Sequence, residues 1–302
     1  MAEQPQAHRR MLTDGGGVRP GAPAGLGSPA TMRALLRIRV APAGLGALAA
    51  MALAACGGSD APATTARPPA GAQRAAHAET SAATARPATR PGSVTHHTIT
   101  LPGGTLSYTL VLPNGYRPGR RYPLLLALPP GDQSQELVDT LVNRVWAPEA
   151  KRRGWIVVSP AAPASGLLFE PGPSALLPPF LARMTRAYPP EGGRVHLAGV
   201  SNGGLAEFRV AIDHPKLFSS LLGFPAAPPT LADYTRLRPI AKIPVALYVG
   251  GEDTTWLEAA RETVTVLRHL GGKATLTVSP GEGHIITRYG GRQYFDVLDR
   301  TR

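Results

Sequence analysis

Ser201 lies in a setting typical of a serine nucleophile. It is the third residue of the Gly-Val-Ser-Asn-Gly segment at 199–203, which follows a strand-like run at 194–198 and precedes a helix-like segment. A serine on such a strand-to-helix turn has strained backbone geometry, and the flanking glycines let strand and helix converge. The pattern is short, so it needs partners elsewhere in the chain. A serine hydroxyl attacks a carbonyl at neutral pH when an imidazole takes its proton and a carboxylate orients that imidazole.

Two later residues could supply the imidazole and the carboxylate. Asp253 follows an apolar run at 243–249, and His284 follows a strand-like run at 274–278. We predict that His284 acts first as base and then as acid, and that Asp253 orients it. Glu252 is the competing carboxylate. Asp253 is preferred because its side chain is shorter and its place in the loop fits better.

The transition state of acyl transfer also needs hydrogen-bond donors for the developing oxyanion. One donor is typically the amide of the residue after the nucleophile, here Asn202, and the other lies in the loop after an early strand. That loop contains Pro129 and Pro130, which have no N–H to donate. The sequence therefore predicts an oxyanion hole made by the amides of Gly131 and Asn202, with Asp132 as the alternative to Gly131.

The hydrophobic pattern predicts the elements that must position these residues. Regular periodicity begins near Val94. Alternating runs at 97–101 and 105–112 predict a hairpin. Continuous apolar runs predict buried strands at 124–128, 155–158, 195–200, 219–224, 243–249 and 274–278. Helix-like segments lie between them at 135–151, 174–188, 202–214 and 255–270, with a last one near 294–301. This alternation predicts an α/β fold with a mostly parallel eight-stranded sheet, helices on both faces, and ligands at the carboxyl ends of the strands.

The segment 94–302 resembles the α/β-hydrolase superfamily, nearest to secreted esterases of the esterase D, feruloyl esterase and polyhydroxybutyrate depolymerase-like group. The resemblance rests on Tyr-Pro-Leu-Leu-Leu-Ala-Leu at 122–128, Gly-Val-Ser-Asn-Gly-Gly at 199–204 and Asp-His-Pro-Lys-Leu-Phe at 213–218. It implies a catalytic domain that hydrolyses carboxylic esters. Similar enzymes usually carry His-Gly where this chain has Pro129-Pro130, so the oxyanion loop is the point of departure from the group.

Aromatic residues near the predicted strand ends are candidates for substrate contact. Phe224 and Trp256 could line an acyl or aryl pocket, and packing in the core or in a lid is the alternative. The loops at 161–173 and 224–239 are predicted to shape that pocket. The histidines lack metal-ligand spacing, and the predicted chemistry requires no metal or organic cofactor. The formal net charge is +12, but the basic residues are dispersed without an aromatic pattern, which argues against nucleic-acid binding.

Residues 1–56 read as a leader with a lipoprotein signal peptide. A region with several arginines precedes an apolar run at 40–55, which is too short and too rich in glycine and alanine for a convincing membrane span. The run ends in Leu-Ala-Ala-Cys and resembles the bacterial lipobox, in which the cysteine is lipid-modified and becomes the first mature residue. The chain has 1 cysteine, Cys56, so an intramolecular disulfide is excluded. The true start of the protein could be Met32.

Residues 57–93 are rich in Ala, Pro and Thr and poor in large apolar residues, which predicts a disordered tether. Leader and tether together predict an extracytoplasmic domain anchored through Cys56 to a bacterial membrane, facing the periplasm or the cell surface.

These features predict an extracytoplasmic serine esterase that acts on an ester-containing small molecule or polymer through an acyl-enzyme intermediate. A serine peptidase or an acyltransferase of the same fold is one alternative, since the same three residues serve amides and acceptors other than water. A surface protein that binds ligands without catalysis is another, because a fold does not by itself imply a function.

Overall fold

The structure is a computed structural model that describes residues 90–302. The predicted leader, Cys56 and all of the predicted tether except its last four residues lie outside the described residues. Eight strands form one sheet in the order β1-β2-β4-β3-β5-β6-β7-β8. The strands are β1 (Val94–Leu101), β2 (Gly104–Val111), β3 (Leu124–Leu128), β4 (Ile156–Pro160), β5 (Val195–Gly199), β6 (Phe218–Gly223), β7 (Val245–Gly250) and β8 (Ala274–Ser279).

The sheet is antiparallel at one edge and parallel elsewhere. Strand β1 pairs with β2, and β2 pairs with β4, both antiparallel. From β4 across β3, β5, β6 and β7 to β8, every pairing is parallel. The carboxyl ends of these six strands therefore meet at one edge of the sheet, where α/β folds bind ligands.

Helices lie between the parallel strands, and a last helix follows β8. They are α1 (Gln135–Leu141), α2 (Ala147–Arg153), α3 (Pro171–Ser174), α4 (Leu177–Ala187), α5 (Asn202–Asp213), α6 (Leu231–Thr235), α7 (Thr254–His269) and α8 (Gly291–Asp299). A π-helical segment, Val142–Trp146, joins α1 to α2 without a break. Short 3₁₀ turns occupy Glu191–Gly193, Pro215–Leu217 and Arg238–Ile240.

The core has one layer on each face of the sheet, because successive side chains of a strand point to opposite faces. In β3, Leu124 and Leu126 pack into the layer beneath α4, α5 and α7. Leu125 and Ala127 pack into the opposite layer, which α1, α2 and α8 cover. All of β3 is buried, which explains why its sequence is continuously apolar instead of alternating.

The predicted fold class is confirmed, with local differences at element boundaries. Strand β3 matches the predicted run at 124–128. The predicted helix 135–151 contains the π-helical segment, and the predicted helix 174–188 begins at Leu177, after the separate turn α3. Helix α6 lies inside the predicted loop 224–239. Between residues 90 and 302, none of the helices combines the length and the apolar character that crossing a bilayer demands.

Candidate active site

Ser201, His284 and Asp253 lie together at the carboxyl edge of the sheet. The Nε2 atom of His284 is 2.8 Å from Oγ of Ser201, and its Nδ1 atom is 2.6 Å from Oδ2 of Asp253. An ionised carboxylate only accepts hydrogen bonds, so Nδ1–H donates to Asp253 and Nε2 is free to accept from the serine hydroxyl. The arrangement can transfer the proton of Ser201 to His284.

Ser201 follows β5 on a sharp turn into α5. Its backbone has φ 54° and ψ −115°, a conformation that few non-glycine residues adopt. Its amide donates to the carbonyl of Pro225 at 3.0 Å, which fixes the turn against the segment after β6. A Cβ atom at Gly199 would collide with the carbonyl oxygen of Gly203, so the two glycines permit the close approach of strand and helix.

Asp253 follows β7 and caps the N-terminus of α7, where its carbonyl accepts from the amide of Leu257 at 2.8 Å. Its side chain is 12% exposed, whereas that of His284 is 45% exposed. The carboxylate therefore lies behind the imidazole, and the imidazole faces the open side of the site. The neighbouring residue Glu252 is exposed, and among the described contacts the carboxylate that bonds to His284 is that of Asp253.

His284 lies on the loop after β8, and the carboxylate of Glu282 organises this loop. That carboxylate accepts from the hydroxyl of Ser279, from the amide and hydroxyl of Thr287 at 2.8 and 2.6 Å, and from the amide of Arg288 at 3.0 Å. These hydrogen bonds lower the pKa of Glu282 to about 2, and the bond from the Ser279 hydroxyl has the largest effect. A charged acceptor with several donors thus holds both ends of the loop that carries His284.

Trp256 lies beside His284, with ring centroids 5.9 Å apart and ring planes at 42°. It stands on the first turn of α7 and is 9% exposed. The indole therefore supports one side of the imidazole and reaches the rim of the site. This position is compatible with the predicted substrate contact and also restricts how the imidazole can turn.

Phe224 lies in the interior instead of on the rim. Its ring stacks on that of Tyr294 with centroids 4.3 Å apart, and it contacts Trp146 at 5.6 Å. It is 7% exposed. Of the two alternatives from the sequence, core packing agrees with these contacts.

The predicted oxyanion loop lies directly over the N-terminus of α5. A Cβ atom at Gly203 would collide with the carbonyls of Leu128 and Pro129, so the end of β3 touches the helix. Gly131 has φ 62°. The side chain of Asn202 donates from Nδ2 to the carbonyl of Gly131 at 2.7 Å. Asn202 was predicted to contribute through its main-chain amide, and the contact made by its side chain is a finding of the structure.

Sequence reasoning missed the buried carboxyl group of Glu207. This residue lies on α5, six positions after Ser201, and is fully buried. Burial raises its pKa well above the ordinary value, and the backbone amides of Leu222 and Gly199 act in the opposite direction. Within residues 90–302, neither carboxyl oxygen has a hydrogen-bond partner of normal geometry. Burial beneath the turn that carries Ser201 thus favours the protonated form of this carboxyl group.

In the described part of the chain, no group of three or more His, Cys, Asp or Glu side chains could hold a metal ion. Cys56, the predicted lipidation site, lies outside the described residues.

Comparisons with known proteins agree with this architecture. No protein-family model matches the chain, and no curated protein matches it by sequence. Among solved structures, a thermostable esterase aligns with TM-score 0.55 at 22% identity over 63% of this chain and 55% of its own. The chain thus spans little more than half the length of that esterase. The feruloyl esterase module of Clostridium thermocellum, solved with sinapinate, aligns with TM-score 0.52 at 16% identity over 64% of this chain and 82% of its own.

A third similar structure is the AtxE2 isopeptidase, with TM-score 0.52, 16% identity, and coverage of 69% of this chain and 39% of the isopeptidase. Identities this low establish the fold alone. Together with the eight-stranded, mostly parallel sheet, these similarities show that the chain has the α/β-hydrolase fold.

Proposed function

We propose that the chain is a serine esterase that hydrolyses carboxylic esters through an acyl-enzyme intermediate. The observation that carries the proposal is the continuous contact from Ser201 Oγ to His284 Nε2 and from His284 Nδ1 to Asp253, at 2.8 and 2.6 Å. The strained turn at Ser201 adds support, since a non-glycine residue with positive φ at a ligand-binding edge is typical of functional sites.

The chemistry follows from these contacts. Oγ of Ser201 attacks the ester carbonyl carbon while its proton moves to Nε2 of His284. The carbonyl oxygen becomes an oxyanion, which the amides of Gly131 and Asn202 stabilise. His284 then gives the proton to the departing alcohol, and a water molecule repeats the sequence on the acyl-enzyme. Asp253 accepts from Nδ1–H and stabilises the imidazolium each time it forms.

The similarity to the feruloyl esterase module and the thermostable esterase supports ester substrates. The isopeptidase of the same fold keeps amide hydrolysis as the second candidate. Acyl transfer to an acceptor other than water uses the same intermediate. The substrate is an ester-containing small molecule or polymer.

We further propose that the domain works outside the cytoplasm, attached to a bacterial membrane by lipid on Cys56. The support is the apolar run at 40–55 ending in Leu-Ala-Ala-Cys, followed by a segment rich in Ala, Pro and Thr. Membrane fractionation of the protein and of Cys56→Ala tests this. The variant should lose its lipid and leave the membrane fraction, and a variant that stays membrane-bound would contradict the anchor.

Hydrolysis of p-nitrophenyl esters from acetate to octanoate tests the esterase proposal. Ser201→Ala and His284→Ala should abolish turnover, whereas Ser174→Ala, which changes a half-buried serine whose hydroxyl donates to the carbonyl of Pro171, should retain it. Fluorophosphonate should label the protein but not Ser201→Ala. Cleavage of matched p-nitroanilides would favour a peptidase, transfer to added alcohol would favour an acyltransferase, and failure to label would favour a binding protein.

A further inference from the structure

Gln133 shares an unusual backbone conformation with Ser201. Between residues 90 and 302, the non-glycine residues with positive φ are Ser201 at 54° and Gln133 at 58°. Glutamine is seldom found in the left-handed region, because its Cβ atom crowds the backbone there. Such conformations persist when surrounding contacts determine them, and they concentrate at functional sites. The contacts of Gln133 show what determines its conformation.

All four hydrogen-bonding groups of Gln133 are engaged. Its amide donates to the carbonyl of Pro130 at 3.0 Å, and its side-chain Nε2 donates to the carbonyl of Pro129 at 3.1 Å. Its carbonyl accepts from the amide of Ala162 at 2.8 Å, and its Oε1 accepts from the amide of Leu168 at 2.7 Å. Two bonds therefore lead to the oxyanion loop, and two lead to the loop that follows β4.

Burial makes these four bonds hard to replace. Gln133 is completely buried, so water cannot take over a broken bond. Leaving a buried polar group unpaired carries a free-energy penalty, which favours the arrangement in which all four bonds are kept. The N–H of Gly131 shares a planar peptide unit with the carbonyl of Pro130, which accepts from the Gln133 amide. This hydrogen bond, together with the one from the Gln133 side chain to the preceding Pro129 carbonyl, therefore restrains the direction of the Gly131 N–H.

The loop after β4 carries the connection toward the other side of the site. Phe169 follows Leu168 and packs against the apolar cluster that includes Trp256. Trp256 in turn contacts the ring of His284. Gln133 consequently connects the oxyanion loop to the loop whose Phe169 packs near Trp256, beside His284.

We propose that Gln133 is a positioning residue that directs the N–H of Gly131 toward the oxyanion and ties the oxyanion loop to the 161–170 loop. This proposal rests on the proposed esterase function. Pro129 and Pro130 have no N–H groups, so their carbonyls are the polar backbone groups through which a neighbour can hold the loop. Gln133 binds both of these carbonyls.

The test compares Gln133→Met and Gln133→Gly with the matched control Gln135→Met in the full-length protein. Met keeps the length of the side chain but removes its donor and acceptor. Gly removes the same side chain and also accepts a positive φ without strain. Gln135 donates to Thr109 and Asp139, away from the oxyanion loop. Hydrolysis of one p-nitrophenyl ester is measured, and kcat is expressed per serine titrated with fluorophosphonate.

Removing a full oxyanion donor lowers kcat by about 100- to 1000-fold in serine hydrolases, so a misdirected donor should lower it by about 10- to 100-fold. Both Gln133 variants should show this loss with KM changed less than about threefold. Gln135→Met should keep its kcat. Normal kcat per titrated serine in both Gln133 variants would overturn the proposal. Normal kcat in Gln133→Gly alone would also overturn it, because the side chain of Gln133 would then be dispensable.

Hydrogen exchange of the same variants separates this proposal from the esterase proposal. Peptides covering 129–134 and 161–170 should exchange at least about tenfold faster in Gln133→Met, while the His284 loop at 279–288 should be unchanged. Unchanged exchange in both peptides would overturn the tie between the loops, whether or not the protein hydrolyses esters. If the unaltered protein cleaves no ester but Gln133→Met shows the expected faster exchange, the esterase proposal and the role of Gln133 in catalysis are contradicted. The role of Gln133 in joining the two loops is then still supported.

Discussion

The carbonyl oxygen of Gly283 occupies the space that a side chain on Gly250 would need. A Cβ atom at Gly250 would collide with the carbonyls of Gly283 and Glu282. The end of β7 and the loop after β8 therefore touch backbone to backbone. This contact sets the distance between Asp253, which follows β7, and His284, which follows β8.

Gly250→Ala should displace the histidine loop. A misplacement of about 1 Å at a catalytic group can reduce turnover about 100-fold, and we expect a fall in kcat of that order. Gly283→Ala is the matched control, because a Cβ atom there would meet nothing within 4 Å. Ester hydrolysis and circular dichroism of both variants check the prediction. Equal kcat in the two variants would contradict it.

Asp253→Asn should leave the fold intact and lower kcat about 1000- to 10,000-fold, as expected when the orienting carboxylate of a catalytic histidine is lost. The amide can donate to Nδ1, which shifts the proton of His284 to Nε2. That nitrogen then cannot accept from Ser201. Glu252→Gln should keep its activity, since the exposed Glu252 is outside the contact. A large loss in Glu252→Gln with little loss in Asp253→Asn would assign the role to Glu252 instead.

Glu282→Gln should weaken the histidine loop in a pH-dependent way. The folded pKa of Glu282 is about 2, below the ordinary 4.5. The stabilisation by its charge is therefore present above about pH 4.5 and is lost as the pH falls toward 2. The free energy of unfolding should differ between the protein and this variant at pH 6, and the difference should shrink by pH 3. A difference that is the same at both values would contradict the charge as its source.

The stability of the fold should depend on pH in the opposite direction through Glu207. Burial raises its folded pKa well above the ordinary 4.5, so the folded protein keeps a proton that the unfolded chain releases. Stability is then greatest below about pH 4.5 and falls by about 1.4 kcal/mol per pH unit as the pH rises between the two pKa values.

Glu207→Gln cannot ionise and should lack this loss. In denaturant unfolding at pH 5, 7 and 9, the free energy of unfolding of the variant should increase relative to that of the unaltered protein as the pH rises. Glu136→Gln, at an exposed position on α1, should follow the unaltered protein. A constant difference across the series for Glu207→Gln would mean that Glu207 is ionised in the fold.

The sequence predicted the sheet, and it placed Ser201, Asp253 and His284 at one edge of that sheet, because both depend on local pattern and simple topology. The continuous apolar run of β3 lies between Pro123 and Pro129, which mark its ends. Residues that follow the carboxyl ends of parallel strands meet at one edge, and that rule alone brings Ser201, Asp253 and His284 near one another. The hydrogen bonds between these three side chains could be identified only from the structure.

Gln133 and Glu207 could not be predicted, because their burial comes from segments distant in sequence. Gln133 is covered by the loop that contains Leu168. Glu207 lies on α5, which is covered by the sheet on one side and by the segment after Phe224 on another. The close contact of Gly204 with Pro225 shows the second covering. Composition does not reveal that a side chain is buried by two segments distant from it in sequence.

Helix α6, in contrast, has a signal in the sequence, a capping residue at its start. Thr230 precedes it, and the Thr230 hydroxyl accepts from the amide of Asp233 at 3.2 Å and donates to its carboxylate at 2.6 Å. A threonine followed three residues later by an acidic residue is close to the capping-box pattern. The helix is five residues long, too short for hydrophobic periodicity to reveal.

The position of α8 bears on how the protein is made. Its residue Asp299 binds the indole of Trp155 and the guanidinium of Arg153 at 2.9 and 2.8 Å, and Phe295 packs between Trp146 and Trp155. During translation, those tryptophans therefore leave the ribosome more than a hundred residues before the helix that covers them. A nascent chain must keep this apolar surface from other chains while it waits, and Ser201 stays without its contact to His284 until the loop after β8 has been synthesised. Assembly of the domain is consequently a late event, governed by contacts between residues far apart in the chain.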